Sequence, residues 1–463
     1  MSVRPYQDIT FGADGDVDLW ERDRLLALEA TDLILFAHGR HDSPALAKRL
    51  ASAFFDPFPA LLAPGVRLGY AGVVWPSMAF ADEPIPGVAA DPAAATSPDP
   101  VPVADPAAAT LDPATRKTLG GLFPGHGPTV DRLALLLARR PPRPEAFAEF
   151  GRLARGLAQA PAGSLEHCST DDLPQDEEGP VAVLYEDALT LCRDFAQAVG
   201  GQRPTAGAAG TATAPGRPAH ECGGPAYEFG GPSPERHRDP AALAVAWTGA
   251  KELLRQTTYH AMKRRAGAVG ELGLGPLLGQ LARRRPALRI HLVGHGQGAR
   301  LVAFALRGLP DGVRTVKSLT LLQGAFSHYA FAPSLPHAAR HAGALRGMEH
   351  RVDGPVVACY SRHDSALAAL YPLASRLAGD DRLPPGLDRR WWAVGHDGLR
   401  AVPPPAVRLT LAQALARGVP ERGCVSVDTA AVVRRGGPPT GAHYDICHGE
   451  LARVVVSAGR MDR

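Results

Sequence analysis

The segment RIHLVGHGQGAR, residues 289–300, constrains the fold more than any other part of this chain. Leu288–Val293 reads as a strand, and it runs directly into Gly294-His295-Gly296-Gln297-Gly298. Helical spacing begins at once over Ala299–Leu309. A strand that becomes a helix within so few residues leaves no space for side chains where the two backbones cross. That is the physical reason for a glycine on either side of such a turn. The central residue, Gly296, is a third glycine. The turn therefore offers chemistry only through its backbone and through the groups around it.

Around this unit the chain alternates strand and helix. Ile9–Phe11 and a helix-like segment over Leu19–Leu28 come first. Leu33–Ala37 is a wholly apolar run, the pattern of a buried parallel strand. A helix follows, with Ser43 as N-cap, Pro44 in the first turn, and Leu46, Leu50 and Phe54 on one face. Val66–Trp75 is the next strand. Further on, a long helix spans Pro240–Ala268, with Thr257, Thr258 and Tyr259 placed to face a site, and a shorter one ends at Arg285. Val316–Leu322, Val356–Tyr360 and Val425–Val427 are later strands, separated by helices over Ala366–Leu377 and Arg408–Arg417. The alternation predicts an α/β protein, a mostly parallel central sheet flanked by helices on both faces.

The 50 glycines and 44 prolines are not evenly spread. Ala81 to Pro113 holds eight prolines and almost no large apolar side chain, and Gly201–Arg238 is a second Gly/Pro/Thr/Ala tract. Neither buries enough apolar surface to offset its ordering entropy, so both are expected to be mobile. Between them helical periodicity returns from about Ala114 to Gly200, notably in Val130–Ala138, Phe147–Leu157 and Val181–Ala198. The interval 81–238 reads as a large, mainly helical insertion or cap, partly disordered. It divides a core formed by residues 1–80 and 239–463.

Six segments carry a resemblance to a known family: FAHGRHDS (36–43), VVWPS (73–77), HLVGHGQGARLV (291–302), LLQGAF (321–326), YSRHDSA (360–366) and GAHYDICH (441–448). Together they resemble the α/β-hydrolase superfamily, and within it the bacterial serine-hydrolase-like proteins. The resemblance covers roughly residues 30–80 and 240–450 and leaves 81–238 unmatched. It implies an α/β-hydrolase fold and cleavage of esters or amides through an elbow serine. The serine position falls on Gly296, between the elbow residues Gly294, His295 and Gly298. Asp364, on the loop after a late strand, takes the place of the acid that orients the histidine, although it also suits an N-cap or an Asx turn. His443 matches the family's nucleophile–acid–histidine order, with His448 as the alternative histidine; either suits a structural loop role as well. Backbone N–H groups of Gly39 or Arg40, after the early strand, would join that of Gln297 as oxyanion donors.

Glycine has no nucleophile, so acyl-enzyme chemistry through residue 296 is excluded, and the site is expected to be inactive or very weak. A natural pseudo-enzyme would bind a small-molecule or peptide ligand in its pocket. The other readings are an active hydrolase whose serine was removed by engineering, a water activated by His443, and a scaffold that meets a protein partner through the insertion. The glycine spacing fits neither dinucleotide nor P-loop patterns, which argues against a phosphate loop. Asp364 and His363 with His38 or His41 could be read as metal ligands, but buried His–Asp hydrogen bonding explains the same residues. No metal and no cofactor are expected.

The net charge of +3 and the short basic runs at Lys263–Arg265 and Arg283–Arg285 make no concentrated basic face, so nucleic acid is not an expected partner. No apolar stretch reaches the roughly 18 residues of a membrane span, and the first residues lack a signal-peptide core. The six cysteines have no CxxC spacing and suggest reduced thiols in a cytoplasmic protein. Substrate selection is assigned to the insertion and to the loops Phe326–Pro333 and Trp391–Gly398.

Overall fold

In a computed structural model of the chain, residues 2–40, 44–78, 80, 110–158, 187–200, 239–367, 392–437 and 440–463 are described. Their centre is one eight-stranded sheet in which every neighbouring pair is parallel. The strands are β1 (Tyr6–Thr10), β2 (Asp32–Ala37), β3 (Leu68–Val74), β4 (Arg289–His295), β5 (Val316–Leu322), β6 (Pro355–Tyr360), β7 (Val407–Thr410) and β8 (Gly423–Asp428). Their spatial order is β1-β3-β2-β4-β5-β6-β8-β7. Strands covered on both faces must be apolar throughout, and β2 is buried at all six positions. The edge strands show the opposite: β1 alternates, and β7 is almost wholly exposed.

The two-residue strand period sorts the core into two layers. Leu33, Leu35 and Ala37 face one layer, while Ile34 and Phe36 face the other. The first layer holds the helices Leu19–Ala27, Pro113–Leu122, Gly127–Arg139, Pro144–Ala158, Ala188–Gly200, Pro240–Ala268 and Gln297–Phe304, through residues such as Leu119, Phe147, Phe195, Trp247 and Leu301. The second holds Pro44–Phe55, Leu411–Arg417 and Gly449–Gly459, through Leu50, Phe54, Leu411 and Leu451. The described helices of the interval 81–238 thus share one apolar cluster with the sheet: Phe147 stacks on Trp247 at 4.2 Å between ring centroids. Gly249 lets the helix Ala188–Gly200 cross Pro240–Ala268 backbone to backbone, since a Cβ there would enter the Cys192 carbonyl. No described helix is long and apolar enough to cross a membrane.

One element differs from the sequence reading. The expected helix Arg408–Arg417 is two elements, strand β7 and the helix Leu411–Arg417. Thr410 ends the strand and caps the helix by a reciprocal bond with Gln413, a stop signal inside one apparent helical run. Pro113–Leu122, at the start of the stretch with helical periodicity, is a helix capped by Asp112. The expected mobile tracts lie almost wholly outside the described residues, as do most of Ala366–Leu377 and the start of Val181–Ala198.

At the N-terminal ends of the strands lies a buried hydrogen-bonded chain. Asp32 Oδ1 on β2 meets His291 Nε2 on β4 at 3.0 Å, and His291 Nδ1 meets Ser318 Oγ on β5 at 2.9 Å. All three side chains are buried. Burial would raise the Asp32 pKa, but the bonds from His291 and Thr31 outweigh it and hold the carboxyl low. Asp32→Ala would leave the buried His291 Nε2 without its acceptor and should cost about 3 kcal/mol, against about 1 kcal/mol for Ser318→Ala. Urea denaturation of both variants checks the order; equal losses would mean that the acid is not the anchor.

Candidate active site

The loops that leave the C-terminal ends of β2, β4, β6 and β8 meet at Gly296. The turn has φ +57° and ψ −118° at Gly296, a backbone region that side chains rarely occupy, and the helix Gln297–Phe304 starts at the next residue. Gly296 N–H donates to the Leu322 carbonyl at 3.0 Å and its carbonyl accepts from Ala325 at 2.9 Å, fixing the turn against the end of β5. The flanking glycines are required by contact. A Cβ on Gly298 would enter the carbonyl oxygens of Ala37 and His38, and one on Gly294 would enter that of Gly298.

A Cβ on Gly296 would meet His443 Nε2 at 2.9 Å and the Gly39 α-carbon at 3.6 Å. One carbon–carbon bond further back, Nε2 is no more than about 4.4 Å from the Gly296 α-carbon, which is contact range. The imidazole thus leans into the space that a side chain would fill, and no water fits on the line between them. On its other side, His443 Nδ1 bonds Asp364 Oδ2 at 2.7 Å. Asp364 is fully buried, and its Oδ1 accepts from the Leu367 amide at 3.0 Å. The acid is therefore both the histidine's partner and a cap. His448 is held elsewhere: its Nε2 is 2.9 Å from Asp445 Oδ1, and Asp445 is also bonded by the Arg434 and Arg435 amides.

The loop after β2 flanks the turn. His38 donates from Nδ1 to the Gly39 carbonyl at 2.7 Å, and Trp75 Nε1 donates to the His38 carbonyl at 3.0 Å. The Arg40 carbonyl accepts from the Tyr444 hydroxyl at 3.2 Å. Gln297 has its amide in the first helical turn, where main-chain donors have no partner within the helix. Its side-chain Nε2 donates to the Tyr259 carbonyl at 3.3 Å. Tyr259 is the one residue of the expected trio at the site: its hydroxyl reaches the Ala325 carbonyl, Arg40 lies over its ring, and burial pushes its phenol up to about 12. Thr257 and Thr258 bond carbonyls of their own helix instead.

Phe326–Pro333 and the described part of Trp391–Gly398 brace each other. Val394 donates to Phe326, His328 to Trp392, and Gly395 to Gly324. Sequence reasoning missed Gln323. It lies between β5 and this brace with φ +41°, and neither end of its buried amide has a partner. A glutamine closing an apolar strand in LLQGAF was the available signal. Among the described residues no group of three or more His, Cys, Asp or Glu side chains could hold a metal; His41 lies outside them. The chain matches no family model, no curated protein and no solved structure.

Two measurements probe this packing. Gly298→Ala should destabilise the fold by about 3 kcal/mol, because the obstructing atoms are backbone. Gly120→Ala, whose Cβ meets nothing, should be neutral or stabilise by up to about 1 kcal/mol. The second measurement concerns pH. Burial depresses the pKa of His38 to about 4 and lowers those of His291 and His295. Between the ordinary histidine pKa of about 6.5 and those values, the unfolded chain binds protons that the folded one refuses. Stability should therefore fall as pH drops from 6.5 towards 4. A urea midpoint that stays flat over that window would contradict the buried neutral state.

Proposed function

We propose that this chain is an α/β-hydrolase-like protein with a serine-hydrolase-type site for esters or amides, inactive or very weak because Gly296 occupies the nucleophile position. The observation that carries the reading is the line Asp364–His443–residue 296. Nδ1 of the imidazole faces the acid, and Nε2 faces the place where a residue-296 side chain would begin. That is the orientation a histidine needs to take a proton from a nucleophile at that position. The same order along the chain, a strand-to-helix turn at residue 296, and Gly39, Arg40 and Gln297 beside it support the reading further. What such a site retains without its serine is ligand binding, through backbone donors and a histidine backed by a carboxylate.

The test is Gly296→Ser. The serine must adopt a strained backbone, at a cost of about 1–3 kcal/mol, and the His443 ring must shift, because 2.9 Å is closer than a Cβ tolerates. With those adjustments the Oγ proton passes to His443 as oxygen attacks the acyl carbon. The ester's C–O bond breaks, its alcohol leaves with that proton, and water then releases the acid. In a fluorophosphonate probe oxygen attacks phosphorus and fluoride leaves. Hydrolysis of small activated esters should rise by about a hundredfold or more over the unaltered protein. The added change His443→Ala should remove that gain, and His448→Ala should leave most of it. A folded Gly296→Ser protein that neither labels nor turns over a broad ester and amide panel would favour a non-catalytic scaffold.

A further inference from the structure

His295 stands between two glycines of the turn, and its side chain takes no part in the chemistry above. It is fully buried. Its Nε2 is 2.8 Å from the main-chain carbonyl of His443. A carbonyl oxygen only accepts, so Nε2 carries the proton and Nδ1 is the lone-pair nitrogen, which is buried without a partner. The ring also walls the loop after β2, since a Cβ on Gly39 would lie 2.9 Å from Nδ1.

We propose that His295 is a positioning residue that hangs the His443 loop on the strand-to-helix turn by one ring N–H···O=C bond. The proposal rests on the reading of His443 as the base of the site.

The loop's three central residues are each tied to a different neighbour. The Ala442 amide donates to the His363 carbonyl, next to Asp364, at 2.9 Å. The His443 carbonyl accepts from His295 on the turn. The Tyr444 hydroxyl donates to the Arg40 carbonyl on the β2 loop at 3.2 Å. Other bonds hold the loop as well, among them His443 N–H to Thr440, Asp445 N–H to Ala442, Ala366 N–H to the Thr440 carbonyl and His443 Nδ1 to Asp364. Without the His295 bond, nothing in this set ties His443 to residue 296 itself. The ring suits the task because it stays uncharged: burial, then the neighbouring His443 and His38, lower its pKa well below the ordinary value. The two imidazoles, 4.8 Å apart, therefore do not compete for a proton.

The test uses the full chain with His295→Phe, which keeps a ring, and His295→Gln, which restores a donor. Nitrogen-edited NMR reads hydrogen exchange of the His443 Nδ1–H bonded to Asp364. The phenylalanine variant should exchange about tenfold faster than the unaltered protein, the worth of one hydrogen bond. The glutamine variant should return to within about threefold. On the Gly296→Ser background, fluorophosphonate labelling rates should follow the same order. Equal protection in all three proteins overturns the proposal, and so does a glutamine variant that matches phenylalanine while melting normally. In the unaltered protein the His295 Nε2–H should itself exchange slowly, and its absence overturns the proposal even if the phenylalanine variant does not fold. If Gly296→Ser never labels, the hydrolase reading fails while the exchange order still decides the role of His295.

Discussion

Where β4 turns into its helix, three stretches of backbone touch with nothing between them. The first residues of the helix press on the carbonyls of Ala37 and His38, and Gly294 presses on Gly298. That approach is possible only without β-carbons, and it fixes the distance between the end of β2 and the start of the helix. The rest of the site inherits this distance. Gly39 can reach the His295 ring, and Gln297 can reach the Tyr259 carbonyl, because β2 and β4 are adjacent in register and their loops leave the sheet at one level.

Gly296 is constrained differently from its two neighbours. Gly294 and Gly298 are excluded from carrying a side chain by backbone atoms, which cannot withdraw without moving a strand. At Gly296 the obstructing atom is the tip of an imidazole, which can retreat, although the backbone there has positive φ. Glycine at this position thus avoids backbone strain and leaves His443 room to close on the turn. The two effects favour the glycine form in stability. They set a cost, not a prohibition, on a hydroxyl at this position.

Much of the sheet was legible because its central strands are buried on both faces and so must be apolar without interruption. Val316–Leu322 appears in the sequence with the bounds it has in the structure. β7 was not legible for the converse reason: an exposed edge strand of four residues carries no burial pattern, and it adjoins a helix with apolar residues of its own. At the site, the glycines could be found from the strand-to-helix turn, and Asp364 and His443 from the order that the resemblance implies. The bond between His295 and the His443 carbonyl could not, because a backbone acceptor leaves no trace in residue identity. Gln323 likewise became notable only through a torsion angle and an unsatisfied amide, neither of which a sequence displays.

Two of the described His–Asp pairs lie at opposite ends of the sheet, and comparing them separates residue identity from chemistry. At the N-terminal ends of the strands, Asp32, His291 and Ser318 form a complete acid–histidine–hydroxyl chain. Its imidazole presents Nε2 to the acid and Nδ1 to the serine, the reverse of the order at His443, and the end of the helix Gly449–Gly459 closes over the ring at Gly459. The serine there is sealed from solvent, and the chain cross-links three neighbouring strands. At the C-terminal ends residue 296 carries no hydroxyl, the histidine presents Nδ1 to the acid and Nε2 to the turn, and a helix N-terminus and the β2 loop lie beside it. Parallel strands impose this asymmetry. Every β-to-α loop leaves from the same end of the sheet, so divergent loops and unpaired helix amides collect there, while the opposite end is left to packing.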